Sequence, residues 1–135
     1  VTLKEQGEKV MEKVIDYAAS CADSLQVSPE DITLLMEKKI PASKEGQCVP
    51  SCVNKKFGLQ KADGTINREN RDSDMEEVKA IDEEVYNKMN SVWEKCVVNG
   101  AEGSDECDTG IKLLTCMREE GEKLGLNEEA IPFLV

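Results

Sequence analysis

Six cysteines, at positions 21, 48, 52, 96, 107 and 116 of 135 residues, constrain this chain more than any other feature. The intervals between them are 26, 3, 43, 10 and 8 residues. An even number in a short chain points to three disulfides with no thiol left over. Such frameworks persist where the environment is oxidising, so a secreted protein is expected. Cys48 and Cys52 stand at i and i+4, on one face of a helix. Side chains that point the same way disfavour a bond to each other, so each should reach a different segment. Cys107 and Cys116 fall on opposite faces if one helix holds both, at roughly 100° per residue. Excluding both pairs leaves ten of the 15 connectivities that six cysteines allow, and spacing goes no further.

The patterning between the cysteines is helical. Thr2-Leu3-Lys4-Glu5 is a capping box, followed by Val10, Met11, Val14, Ile15, Ala18 and Cys21 at helical spacing. Ser28-Pro29-Glu30-Asp31 starts a second helix with proline at its first position. Ile32, Leu35 and Met36 form its apolar stripe, and Ile40-Pro41 is read as its end. Pro50 belongs in a first turn, so a third helix is expected from near Gln47 to Phe57, carrying Cys48 and Cys52, with Gly58 as its cap. Asp63-Gly64 marks a turn. Residues 67–81 are charged and weakly patterned, with Ser73-Asp74-Met75-Glu76 restarting a helix through a capping box. Asp82 caps the next helix, whose inner face is Val85, Met89, Val92, Trp93 and Cys96. Ser104 is expected to cap a last helix holding Cys107, Ile111, Leu113, Leu114, Cys116 and Met117 and ending near Gly125. Gly110 should weaken that helix by about 1 kcal/mol relative to alanine. No strand-period alternation is present. The expected fold is all-α, one domain over 1–135 with about six helices and no internal repeat.

Composition removes whole classes of function. The net charge of −11 and a pI near 4.5 argue against nucleic acid and against anionic membrane surfaces. Such charge keeps a concentrated secreted protein soluble. No run of 18 apolar residues occurs, so stable membrane insertion is not expected. No signal peptide begins at Val1, so a secreted protein is expected here in its mature form. There is no histidine, which removes the usual general base, a common metal ligand and the neutral-pH switch. With every cysteine in a bridge, no thiol remains as nucleophile or zinc ligand. The carboxylates read as solvated helix faces rather than an acid–base pair. The Asp/Asn-rich stretch 63–74 departs from the calcium-loop pattern. Neither catalysis, nor a metal, nor a cofactor is expected.

The pattern Cys-x26-Cys-x3-Cys-x43-Cys-x10-Cys-x8-Cys resembles that of insect odorant-binding proteins of the six-cysteine type, the pheromone- and general-odorant-binding family. The x3 and x8 intervals are the specific ones. Phe57-Gly58-Leu59-Gln60-Lys61-Ala62-Asp63-Gly64-Thr65-Ile66-Asn67 also resembles the turn after the third cysteine of that family. The likeness spans nearly the whole chain. It implies first–third, second–fifth and fourth–sixth pairing, here Cys21–Cys52, Cys48–Cys107 and Cys96–Cys116. Each bridge would close a loop of about 20–60 residues, worth roughly 3–4 kcal/mol in the chain-entropy model. These interlocked terms offset the burial that a hollow interior forgoes.

On the residues alone, the five methionines read as ordinary core. The resemblance instead implies a central apolar cavity for small ligands, which flexible, polarizable methionines suit. The candidate lining is Met11, Val14 and Ile15 from the first helix, Leu35 and Met36 from the second, and Val53 and Phe57 from the third. Met75 and Val78 come from the fourth, and Val85, Tyr86, Met89, Val92 and Trp93 from the fifth. The last helix adds Leu113, Leu114 and Met117. Tyr17 and Tyr86 offer hydroxyls to a ligand oxygen. The tail residues Ile131, Phe133, Leu134 and Val135 are read as a lid across the cavity mouth, against the plainer reading of a frayed end.

The function so implied is a secreted carrier of small hydrophobic volatile ligands in chemosensory fluid. It would be a monomer or weak homodimer that releases its cargo near a membrane odorant receptor. A non-olfactory binder of the same fold in haemolymph, reproductive or salivary fluid is the alternative. A saposin-like protein would instead join its first and last cysteines.

Overall fold

The computed structural model describes residues 1–69 and 73–126. Its helices are α1 (Leu3–Leu25), α2 (Pro29–Met36), α3 (Lys44–Gln47), α4 (Val49–Phe57), α5 (Ser73–Ile81), α6 (Glu83–Trp93) and α7 (Glu106–Lys123). The single turn α3 runs into α4 through Cys48, so the two act as one unit and the described residues form six helical units. Among the described residues there is no strand, only an isolated bridge between Gln60 and Ile66.

Local chemistry sets most of the boundaries. The Thr2 hydroxyl accepts the Glu5 N–H at 3.1 Å, and the Glu5 carboxylate accepts the Thr2 N–H at 3.2 Å, so the capping box opens α1. Ser28 accepts the Asp31 N–H to open α2, with Pro29 in the first turn. Asp82 accepts the Val85 N–H at 3.1 Å to open α6. Gly58, at φ 80°, closes α4. The helix α6 does not stop at Trp93. It continues as a π-helical turn, Glu94–Val98, that holds Cys96. Arg68 covers the end of that turn: its Nη1 donates to the carbonyls of Val97 (2.9 Å), Val98 (2.9 Å) and Gly100 (2.8 Å). A guanidinium there satisfies carbonyls that have no further turn to bond to.

Three expectations need correction. Helix α2 ends at Met36, well before Pro41, because Lys38 turns into the left-handed region at φ 66°. The cap of α7 is Asp105, not Ser104: Asp105 Oδ1 accepts the Asp108 N–H at 2.8 Å, while the Ser104 N–H donates to Asp108 Oδ2. The shorter reach of a hydroxyl loses here to a carboxylate one residue later, which also suits the helix N-terminus. Cys48 lies outside α4, as its N-cap, rather than in its first turn.

The filled core is small. One cluster joins Val92, Cys96 and Leu126, and another joins Ile66, Val97 and Leu113. Helix α4 packs against both α1 and α7, and α5 against α6. These layers leave space between them.

Candidate functional site

The disulfides decide which helices enclose that space. Cys21, late in α1, joins Cys52 in α4 with Cα atoms 5.9 Å apart. Cys48 joins Cys107 in the first turn of α7 at 4.5 Å, and Cys96 joins Cys116 at 5.7 Å. No cysteine is free. This is the pairing that the family resemblance implies. One turn of chain, Cys48 to Cys52, is thereby tied to α7 on one side and α1 on the other.

Between α1, α2, α4, α5, α6 and α7 lies a cavity of about 470 Å³, inside the range of roughly 300–1,000 Å³ usual for small-molecule sites. All five methionines of the chain line it: Met11, Met36, Met75, Met89 and Met117, each from a different helix. Val10, Val14 and Ala18 line it from α1, Ile32 and Leu35 from α2, and Val49, Pro50, Val53 and Phe57 from α4. Val78, Val92, Trp93, Leu114, Leu59 and Leu126 complete the apolar wall. Burying a flexible apolar molecule there recovers about 25 cal/mol per Å².

Five polar side chains interrupt the wall: Gln6, Lys38, Asn54, Asp74 and Arg118. Gln6 Nε2 donates to the Asp74 carbonyl at 3.3 Å and to Glu77 Oε2 at 2.8 Å. Asn54 Nδ2 donates to Gln60 Oε1 at 2.9 Å. The Asp74 carboxylate is nearly buried and meets Lys13 Nζ at 2.6 Å and Lys9 Nζ at 3.7 Å. Arg118 differs. Its Nη2 donates to the Leu35 carbonyl at the long distance of 3.5 Å, and its Nε is buried with no acceptor. Burial lowers the pKa of this guanidinium from its usual value. Among the described residues, no group of three or more His, Cys, Asp or Glu could hold a metal ion.

The structure brings thirteen of the seventeen candidate lining residues to the cavity and places four elsewhere. Ile15 is 50% exposed on the outer face of α1. Val85 packs on the Val92–Cys96–Leu126 cluster. The Tyr86 hydroxyl donates to the Glu76 carboxylate at 3.2 Å, and the Lys79 ammonium sits 5.5 Å from its ring. Leu113, 2% exposed, fills solid core beside Ile66 and Val97. A helix face wider than the cavity explains all four, since its flanks meet solvent or neighbouring helices instead. Tyr17 packs edge-on against Phe57, with centroids 4.9 Å apart, and does not line the cavity. Met36 lines it while 50% exposed, so it stands at the rim. The lid residues Ile131, Phe133, Leu134 and Val135 lie outside the described residues.

Apolar periodicity missed the polar lining. A signal was present nonetheless. Arg118 follows Leu114 and Met117 at i+4 and i+1, and Gln6 precedes Val10 and Val14 at successive intervals of four. A polar residue in phase with an apolar stripe is the mark of a group that faces inward.

The chain was compared with known proteins. The model of the PBP/GOBP family matches residues 4–120. General odorant-binding protein 28a of Drosophila melanogaster is 22% identical over 119 residues, 88% of this chain and 82% of that protein. The solved structure of odorant-binding protein dmelOBP28a from Drosophila melanogaster superposes with a TM-score of 0.71 at 22% identity, covering 90% of this chain and 99% of that one. The fatty acid binding protein OBP56a from the oral disk of the blowfly Phormia regina gives 0.63 at 24% identity, covering 86% and 95%. These structures share the all-α fold. With the family model covering most of the chain and three disulfides joining its six cysteines, this protein belongs to the PBP/GOBP family of odorant-binding proteins.

Proposed function

We propose that this protein is an extracellular carrier that binds and solubilises small hydrophobic odorants or pheromones in the cavity between its helices. The observation that carries the reading is the convergence of all five methionines, from five helices, on one apolar-walled space of about 470 Å³. Methionine adapts to varied apolar shapes at low cost, which suits a carrier of several related molecules. Three disulfides tie the walls together beside a small filled core. No helix among the described residues is long and apolar enough to cross a membrane. Mechanism follows from solubility: an apolar molecule partitions poorly into water, and burial in the cavity carries it through an aqueous fluid.

A hydrophobic fluorescent probe should bind saturably at one site and be displaced by medium-length alcohols, aldehydes or esters. Absence of binding, or binding that requires a metal, would overturn the carrier reading. The likeness to a protein named for binding fatty acids in an oral disk favours a second reading, a non-olfactory lipid binder of the same fold. Immunolocalisation to antennal sensilla or to another fluid separates the two.

A further inference from the structure

Arg118 is a lining group whose hydrogen bonding the described residues leave incomplete. A guanidinium offers five N–H donors. The described residues give Arg118 a single acceptor, the Leu35 carbonyl at 3.5 Å, and its Nε is buried with none. The residue as a whole is half-buried, and a polar atom taken out of water without a partner is costly. Asp74, the one carboxylate among the described residues of the cavity wall, is held by Lys13 at 2.6 Å and Lys9 at 3.7 Å. No ion pair joins it to Arg118 among the described residues. Leu114 and Met117, on the same helix, belong to the apolar wall. The site is thus a cationic head position joined to a greasy channel.

We propose that the cavity selects amphiphiles with a terminal carboxylate, medium-chain fatty acids above all, and that Arg118 is the residue that recognises the headgroup. The carboxylate meets the Nη edge of the guanidinium, displacing the weak contact to Leu35, while the chain lies among the methionines. Planar guanidinium and planar carboxylate match in a bidentate pair. Such charged hydrogen bonds outweigh those an alcohol or ester offers. Lowered basicity from burial weakens no part of this, since the group remains cationic at neutral pH. This inference rests on the carrier reading and adds the headgroup.

The test compares dodecanoic acid, 1-dodecanol and methyl dodecanoate on delipidated, disulfide-intact protein at pH 7, by calorimetry or probe displacement. The wild type should bind the acid about 10- to 100-fold more tightly than either neutral ligand, the range expected for charged hydrogen bonds. In Arg118→Gln the acid-to-alcohol ratio should fall toward one, and Arg118→Lys should give an intermediate ratio. Below about pH 5 the wild-type preference should shrink as the ligand protonates. Equal binding of acid and alcohol by the wild type would overturn the proposal without any variant having to fold. So would an ester that binds as tightly as the acid, or a ratio unchanged in Arg118→Gln. If none of the three ligands binds, the carrier reading falls and takes this one with it.

Discussion

Gly110 lies where α7 crosses α4, and what it omits matters more than what it lacks as a helix former. A Cβ built there would stand 2.6 Å from the Ser51 nitrogen and 2.8 Å from the Ser51 Cα. Propensity alone makes alanine better by about 1 kcal/mol. The clash opposes this, and it is with backbone, which cannot swing aside. The Cys48–Cys107 bridge also pins the two helices together at that end. Overpacking of this kind costs about 1–3 kcal/mol, so Gly110→Ala should be net destabilising. Urea unfolding under oxidising conditions checks the sign. A raised midpoint would mean that the crossing relaxes freely.

Among the helices, α2 is the least anchored. None of its residues is buried, whereas α1, α4, α5 and α7 each bury two or more residues and α6 buries Val92. Its apolar residues Ile32, Leu35 and Met36 face the cavity instead of packed core. An element stabilised mainly by what fills a cavity should open more easily than its neighbours when that cavity holds only water. Amide hydrogens of Thr33 to Met36 should therefore exchange faster than those of α4 or α7 in delipidated protein. Protection in α2 should rise most when a ligand is added. Hydrogen exchange read by mass spectrometry tests both, and equal protection across α2 and α4 would refute the ranking.

For the molecule as a whole, acidity is managed by carboxylates alone. Hydrogen bonds from Lys9 and then Gln6 lower the pKa of Glu77, and Lys123 and then Lys95 lower that of Glu120. The Ser104 N–H lowers Asp108, and Thr65 lowers Asp63 through its hydroxyl and N–H. Each group ionises more readily folded than unfolded. Each therefore contributes stability that is complete above the unfolded carboxylate range of about 4 and lost as pH falls through the folded values below it. With no histidine to charge, the thermal unfolding midpoint should be flat between about pH 6 and 8 and fall below about pH 4.5. A main loss of stability between pH 6 and 7 would contradict this assignment.

Much of this was legible in the residues. The capping signals at Thr2, Ser28 and Asp82 act within a few residues, so local spacing carried them. The cysteine intervals carried the family, since three interlocked bridges tolerate few arrangements of helices. Inward phase put all five methionines on the right faces. Phase does not, however, say whether the inward space is filled or hollow. Leu113 and Leu114 are adjacent and alike in sequence, yet one fills core against Ile66 and Val97 and the other lines the cavity. That difference arises only when α7 is set against α4, α6 and the π-helical turn. Polar residues in an apolar stripe pose the same difficulty. Asp74 and Arg118 both look like interruptions of a helix face. Their meaning comes from distant partners: Asp74 finds Lys13 across 61 residues of chain, while Arg118 finds one distant carbonyl and an open cavity. Short-range chemistry is written in the sequence because its partners are neighbours there. The shape and charge of the cavity come from helices far apart in the chain, and only their packing decides them.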